Sequence, residues 1–261
     1  MEESAIKTVG IRWGIALAIM SLLLPARVMA EPYAGLYLGA AITEDNDLRT
    51  ELELNGTPFV NGRAESLSFE TSLAFGGKAG YFFEKDLLGG NVGVELDVYH
   101  YEPDLDSQNV RFAGLLGGFN GDFRTRLQSA DIEVTTVALN LLYRFRLLPG
   151  PQYPRGRLQP YVGVGAGAFI ARLSTETSPF DVNKEISDTD VRPGVQALGG
   201  LRFFVTRNIA LFAEYKFVQA RDFSFRFKES GTVSGFPATE TARDRADISS
   251  HLFYGGIGFH W

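Results

Sequence analysis

The chain has 261 residues, a formal net charge of −6 and no cysteine. The absence of thiols excludes disulfide frameworks and thiolate metal sites, and the acidic balance argues against a nucleic-acid binder, which needs a basic footprint. Twenty-nine glycines and 21 phenylalanines against three methionines favour strands over helices, and the length suits one domain or two small ones.

Lys7 and Arg12 precede an apolar run from Trp13 to Leu24, which Pro25 breaks. Val28-Met29-Ala30 offers small residues at the positions before a cleavage point. The run is too short to span a bilayer, so residues 1–30 read as a secretory signal and 31–261 as the mature domain.

Eight segments then alternate with period two. They are Tyr33–Ile42, Ser72–Phe83, Asn91–Tyr101, Ile132–Phe145, Pro160–Ala171, Val195–Val205, Ile209–Phe217 and Ser249–Trp261. Each has one large apolar register, such as Leu36, Leu38 and Ile42 in the first. In the last that register is Phe253, Ile257, Phe259 and Trp261. The opposite register holds Lys78, Glu95, Asp97, Asn140, Arg144, Arg202, Glu214 and Lys216 among glycines and tyrosines. Both signs of charge occur there, so ion pairs can form.

Alternation alone does not say which face points outward, since a soluble lipocalin-like barrel shares it. Three features place the apolar face in lipid. Aromatics gather at the ends of every second segment (Tyr81, Phe83, Tyr143, Phe145, Phe203, Phe259, Trp261), as in an interfacial girdle. Connections alternate between short (84–90, 146–159, 206–208) and long polar ones (43–71, 102–131, 172–194, 218–248). Charged residues also occur at mid-strand, where only a barrel interior suits them. The expectation is an all-β, eight-stranded, antiparallel up-and-down transmembrane barrel, with the last segment pairing to the first so that no edge is left in lipid.

With the strands placed, the chain resembles the small outer-membrane β-barrel family of Gram-negative bacteria, the OmpA-, OmpX- and OmpW-like proteins. The resemblance rests on Tyr33–Ala41, Gly80–Phe83, Pro160–Gly167, Ala213–Phe217 and Gly256–Trp261. It implies an outer-membrane location and contact with lipids and lipopolysaccharide. It also implies that barrel assembly machinery reads the terminal aromatic strand, here ending in Trp261 rather than the more usual Phe.

Candidate chemistry is sparse. Gly163, Gly165 and Gly167 follow period two with no helix after them, so they read as small lumen positions and not as a dinucleotide loop. No cofactor is expected. Ser249, Ser250 and His251, with Asp247 nearby, allow a lipid A-modifying hydrolase reading, against a preferred polar rim. Lys78, Glu95, Asp97, Arg144, Arg202, Glu214 and Lys216 are expected to fill a narrow lumen, because eight strands leave room for little more than side chains. The acidic connection with Glu44, Asp45, Asp47, Glu51, Glu53 and Glu65 reads as a solvated loop. Phe223, Phe225, Phe227 and Phe236, among arginines, suggest a strand extending above the membrane with exposed aromatics suited to adhesion. The leading reading is a non-enzymatic structural or surface-interaction barrel; the alternative is an OmpW-like conduit for small hydrophobic molecules.

Overall fold

The computed structural model describes residues 30–127, 129–175, 186–233 and 236–261; most of the expected signal segment lies outside them. Twelve strands are present: β1 (Ala30–Thr43), β2 (Asn46–Leu54), β3 (Thr57–Leu67), β4 (Ser72–Leu87), β5 (Gly90–Tyr101) and β6 (Gln108–Leu116). They continue with β7 (Phe119–Leu127), β8 (Asp131–Phe145), β9 (Leu158–Thr175), β10 (Ile186–Phe204), β11 (Ile209–Val233) and β12 (Phe236–His260). All pairings between them are antiparallel.

The expectation of eight strands is therefore corrected. The ring β1-β4-β5-β8-β9-β10-β11-β12 closes through β1–β12, from Tyr33↔His260 to Thr43↔Ser250. The other four strands lie in segments read as polar loops. β2 takes over the β12 edge where β1 leaves it (Arg245↔Arg49 to Glu240↔Leu54), and β3, β6 and β7 follow outward from β2. Residues 218–233 and 236–248 prolong the β11–β12 hairpin above the ring. Of the long connection 172–194, residues 176–185 lie outside the described residues; the rest is strand.

Turn chemistry explains the added hairpins. Asn55 and Gly56 have φ of 52° and 77° between Leu54 and Thr57, and Gly117 and Gly118 have φ of 59° and 88° between Leu116 and Phe119. Two successive positive φ values match the right-handed twist of the flanking strands, so these pairs join hairpins in two residues. Leu88 and Gly89 repeat the geometry at the opposite end, between β4 and β5.

The wall is inverted relative to a water-soluble barrel. Leu36, Leu38 and Leu139 are 70%, 65% and 68% exposed, while Lys78, Asp97, Glu214 and Lys216 are buried. A ring of exposed Leu, Val, Ile and Phe on this scale far exceeds the apolar patches of soluble monomers, so lipid is its solvent. At the short-turn end Tyr81 packs edge-on against Phe83, Tyr143 against Phe145, and Phe259 stacks on Trp261 at 5.7 Å.

Above the ring, Ala64, Leu67, Leu105, Val110 and Phe112 form a second, small apolar core on the inner side of the β2-β3-β6-β7 sheet. That burial holds the extension as sheet rather than as free loops.

Candidate functional site: a filled lumen beneath an acidic apolar pocket

The inward register of each ring strand stacks side chains in layers. At the short-turn end Glu31 binds Arg144, and His260 Nδ1 lies 2.8 Å from Glu31 Oε1. Arg202 lies over the rings of Tyr33, Tyr161 and Phe82, at 4.6, 5.3 and 5.5 Å from their centroids. Stacking on aromatic faces suits a planar guanidinium that has left water.

The middle layer is ionic. Lys78 Nζ donates to Glu214 Oε2 at 2.5 Å and lies 3.7 Å from Glu95; Lys216 binds Asp97 and lies 3.6 Å from Glu214. Tyrosines add further donors: Tyr33 donates to Glu95 at 2.7 Å, Tyr161 to Glu214 at 2.8 Å, and Tyr37 to Asp97. Asn140 donates to Glu95 at 2.9 Å, Gln196 to Asn140 at 2.6 Å, and Tyr99 to Gln196 at 2.9 Å. Gly165 lies between Asn140 and Gln196 in register, and a Cβ there would run into the Asn140 amide. Buried charges persist when paired, and Lys78, Glu95, Asp97, Glu214 and Lys216 each have an oppositely charged neighbour in this layer.

The upper layer is apolar: Tyr101, Val134, Phe169, Val218, Phe223, Phe225 and Ile248 pack together, with Phe223 and Phe225 stacked at 6.3 Å. The expectation that Phe223, Phe225 and Phe227 are exposed is corrected here, Phe223 being 0% and Phe225 3% exposed. A β-bulge between Ala220 and Phe223, with Asp222 at φ 61°, inserts one residue into β11 and exchanges its faces. Asp222 N–H donates to the Asp247 carboxylate at 2.9 Å, holding the bulge. The side chain of Phe236 lies outside the described residues.

Over this plug lies a cavity of about 250 Å³, walled by Leu48, Leu67, Phe69, Leu105, Leu127, Ile132, Leu173, Phe225 and Phe227. Four carboxylates also line it, from Asp47, Glu229, Glu240 and Asp244, and no Lys, Arg or His does so among the described residues. Asp47 is paired with Arg63. Asp244 Oδ1 is shielded from solvent and has no hydrogen-bond partner. Burial pushes its carboxyl up to about 6, against a hydrogen bond from Thr50 that lowers it. Burial, and then the charge of Glu229 opposite, raise Glu240.

The residues of the hydrolase reading do not converge. Ser249 Oγ accepts from Gln219 at 3.3 Å, whereas His251 lies between Tyr215 (2.8 Å) and Glu44 (2.9 Å). Asp247 serves the bulge and Ser250 bonds Thr43 inside the barrel. The acidic segment becomes β2, where Glu51 faces Arg243 and Arg245 of β12 at 3.9 and 3.6 Å. Among the described residues no group of three or more His, Asp or Glu is arranged to hold a metal. Several residues of the site escaped the sequence reading, among them Glu31, Gln196, Glu229, Glu240 and Asp244. Glu31 continues the Tyr33–Tyr37 register, and Glu240 and Asp244 continue the His260–Tyr254 register; parity was the available signal.

An apolar outer wall around a polar interior, closed on itself through β1–β12, defines a transmembrane β-barrel. The chain belongs to the outer membrane protein beta-barrel domain family, whose profile matches residues 15–259, and this places it in the outer membrane. No curated protein matches it. Among solved structures it is similar to OprG from Pseudomonas aeruginosa, with 17% identity, a TM-score of 0.48, and 88% of this chain and 95% of that one covered. It is also similar to Ail of Yersinia pestis in complex with the heparin analogue sucrose octasulfate, with 12% identity, a TM-score of 0.39, and 88% and 99% covered. The outer membrane protease OmpT from Escherichia coli gives 7% identity, a TM-score of 0.45, and 88% and 97% covered. Likenesses this remote bear on neither ligand nor activity.

Proposed function

We propose that this protein is a non-enzymatic surface-interaction barrel: a closed, rigid anchor that presents a binding pocket at the outer face of the membrane. The observation that carries the reading is the vertical order of the interior. Three filled layers run from Glu31 in the ring to Phe225 just above it, and the apolar cavity lies over them. Its volume of about 250 Å³ exceeds that of an apolar cavity of roughly 150 Å³ able to hold benzene. In this reading the long-strand end faces the cell exterior and residues 1–30 direct export. The apolar belt contacts membrane lipids and, at the outer rim, lipopolysaccharide. Phe253, Ile257, Phe259 and Trp261 form the strand that assembly machinery reads.

A second reading, a conduit for small hydrophobic molecules, makes the same cavity an entry vestibule. It requires Phe223 and Phe225, and the ionic layer beneath them, to move aside. Equilibrium dialysis of 2-phenylethanol against the full-length protein in nanodiscs tests the pocket. Saturable binding, lost in Ala242→Trp while the heat-modifiable gel shift persists, supports it. Partitioning no greater than into empty nanodiscs defeats it.

A further inference from the structure

We propose that the outer pocket is selective for small organic cations, an apolar body carrying a protonated amine, with Asp244 and Glu240 as the groups that receive the charge. The inference rests on the reading of this cavity as a binding site and adds the class of ligand.

Three observations converge. The first is the sign of the lining. It is apolar but for Asn46, Ser129 and four carboxylates, with no basic side chain among its described residues. The basic residues of the same strands are on the other faces: Arg243 and Arg245 pair with Glu51, while Arg226 and Lys228 are exposed.

The second is the unsatisfied atom. Asp244 Oδ1 is out of solvent and lacks a donor among the described residues, where Thr50 across the β12–β2 pair is the side-chain partner of the carboxylate. An orphaned carboxylate oxygen is costly in an apolar wall. An ammonium hydrogen would supply both the missing donor and the missing countercharge. A hydroxyl would supply the donor alone, and a carboxylate would add repulsion.

The third is the setting. Phe225 is directly opposite Asp244 and Phe227 directly opposite Ala242 on the β11–β12 pair, so aromatic faces flank the acid. Ring faces attract cations, and more strongly once water is removed. Glu240 lies two register steps further out on the same face and is opposite Glu229.

The test compares three isosteric probes at pH 7.5 against the full-length protein in nanodiscs of zwitterionic lipid: 2-phenylethylamine, 2-phenylethanol and phenylacetate. The amine is expected to bind about tenfold or more tightly than the alcohol, the factor expected when a charge-assisted hydrogen bond replaces a neutral one. Phenylacetate is expected not to bind. Asp244→Asn should abolish the preference for the amine over the alcohol; Glu240→Gln should narrow that preference partially. Equal binding of amine and alcohol overturns the inference and leaves the pocket standing. Failure of all three probes removes the pocket and the inference together. Preference for phenylacetate, or an Asp244→Asn variant that keeps the amine preference, also overturns it. The heat-modifiable gel shift of each variant shows that its barrel has closed.

Discussion

Lys78 and Glu214, 136 positions apart in the chain, meet at 2.5 Å in the middle of the lumen. They lie on β4 and β11, which are not neighbours in the ring. The contact therefore spans the interior rather than the wall, and with Lys216, Asp97 and Glu95 it closes the bore.

Removing one member leaves a buried charge short of its partner. Lys78→Met is expected to destabilise the folded barrel by about 3 kcal/mol, within the range for breaking a buried pair. The double variant Lys78→Met, Glu214→Gln should recover part of that loss, because the orphaned charge goes with it. Urea unfolding in lipid vesicles, followed by the gel shift, measures both. A double variant less stable than Lys78→Met alone would contradict the pairing.

Phe223 fills the upper layer and has no exposed surface. Phe223→Ala is expected to cost about 3–5 kcal/mol in the same assay, the usual loss for a buried phenylalanine. It should leave conductance unchanged, since the ionic layer beneath still seals the barrel. A conducting Phe223→Ala barrel would show that the aromatic plug alone is the seal.

The bulge at Asp222 sets which face of upper β11 turns inward. In a Phe225→Trp background, the indole should emit at short wavelength and resist acrylamide. Deleting Arg221 and Asp222 together makes Phe223 follow Ala220 directly, so alternation points residue 225 outward, and the indole should then show red-shifted, quenchable emission. Unchanged emission after the deletion would mean that packing, not the bulge, fixes the face.

Burial raises the Asp244 carboxyl from 3.8 to about 6. A group whose folded pKa is raised holds its proton more tightly in the folded state. Its contribution to the stability of the outer sheet is thus full below pH 3.8 and is lost as pH rises through about 6. Amide exchange on the outer halves of β11 and β12, compared across that window and corrected for intrinsic rates, should show protection falling with rising pH. Asp244→Asn should flatten the profile. A wild-type profile that is already flat would contradict the shift.

The ring was legible because lipid imposes one rule on every wall strand. With water excluded from the belt, each must alternate apolar and polar residues, so Leu36–Leu38 and Lys78–Glu95 report their faces locally. The seam between Tyr33–Ile42 and the last strand followed from the need to pair both edges. The extension was less legible, because strands outside the belt carry charge on one face and bury only scattered residues such as Ala64 and Phe112 on the other. Asn55-Gly56 and Gly117-Gly118 were the readable signs of hairpins there. The pocket depended on the bulge: extrapolating period two from Lys216 through Asp222 sends Phe225 outward and hides its relation to Asp244. A one-residue insertion of that kind leaves little mark in a sequence of alternating residues.

The central claim is that the lumen is sealed from Glu31 to Phe225. Single-channel recording of the full-length protein in planar bilayers tests it most directly. The account predicts a current indistinguishable from the bare membrane over a sustained voltage ramp, with insertion shown by protease-protected strands in the proteoliposomes fused to the bilayer. A stable, voltage-independent open step from the wild-type protein would contradict it.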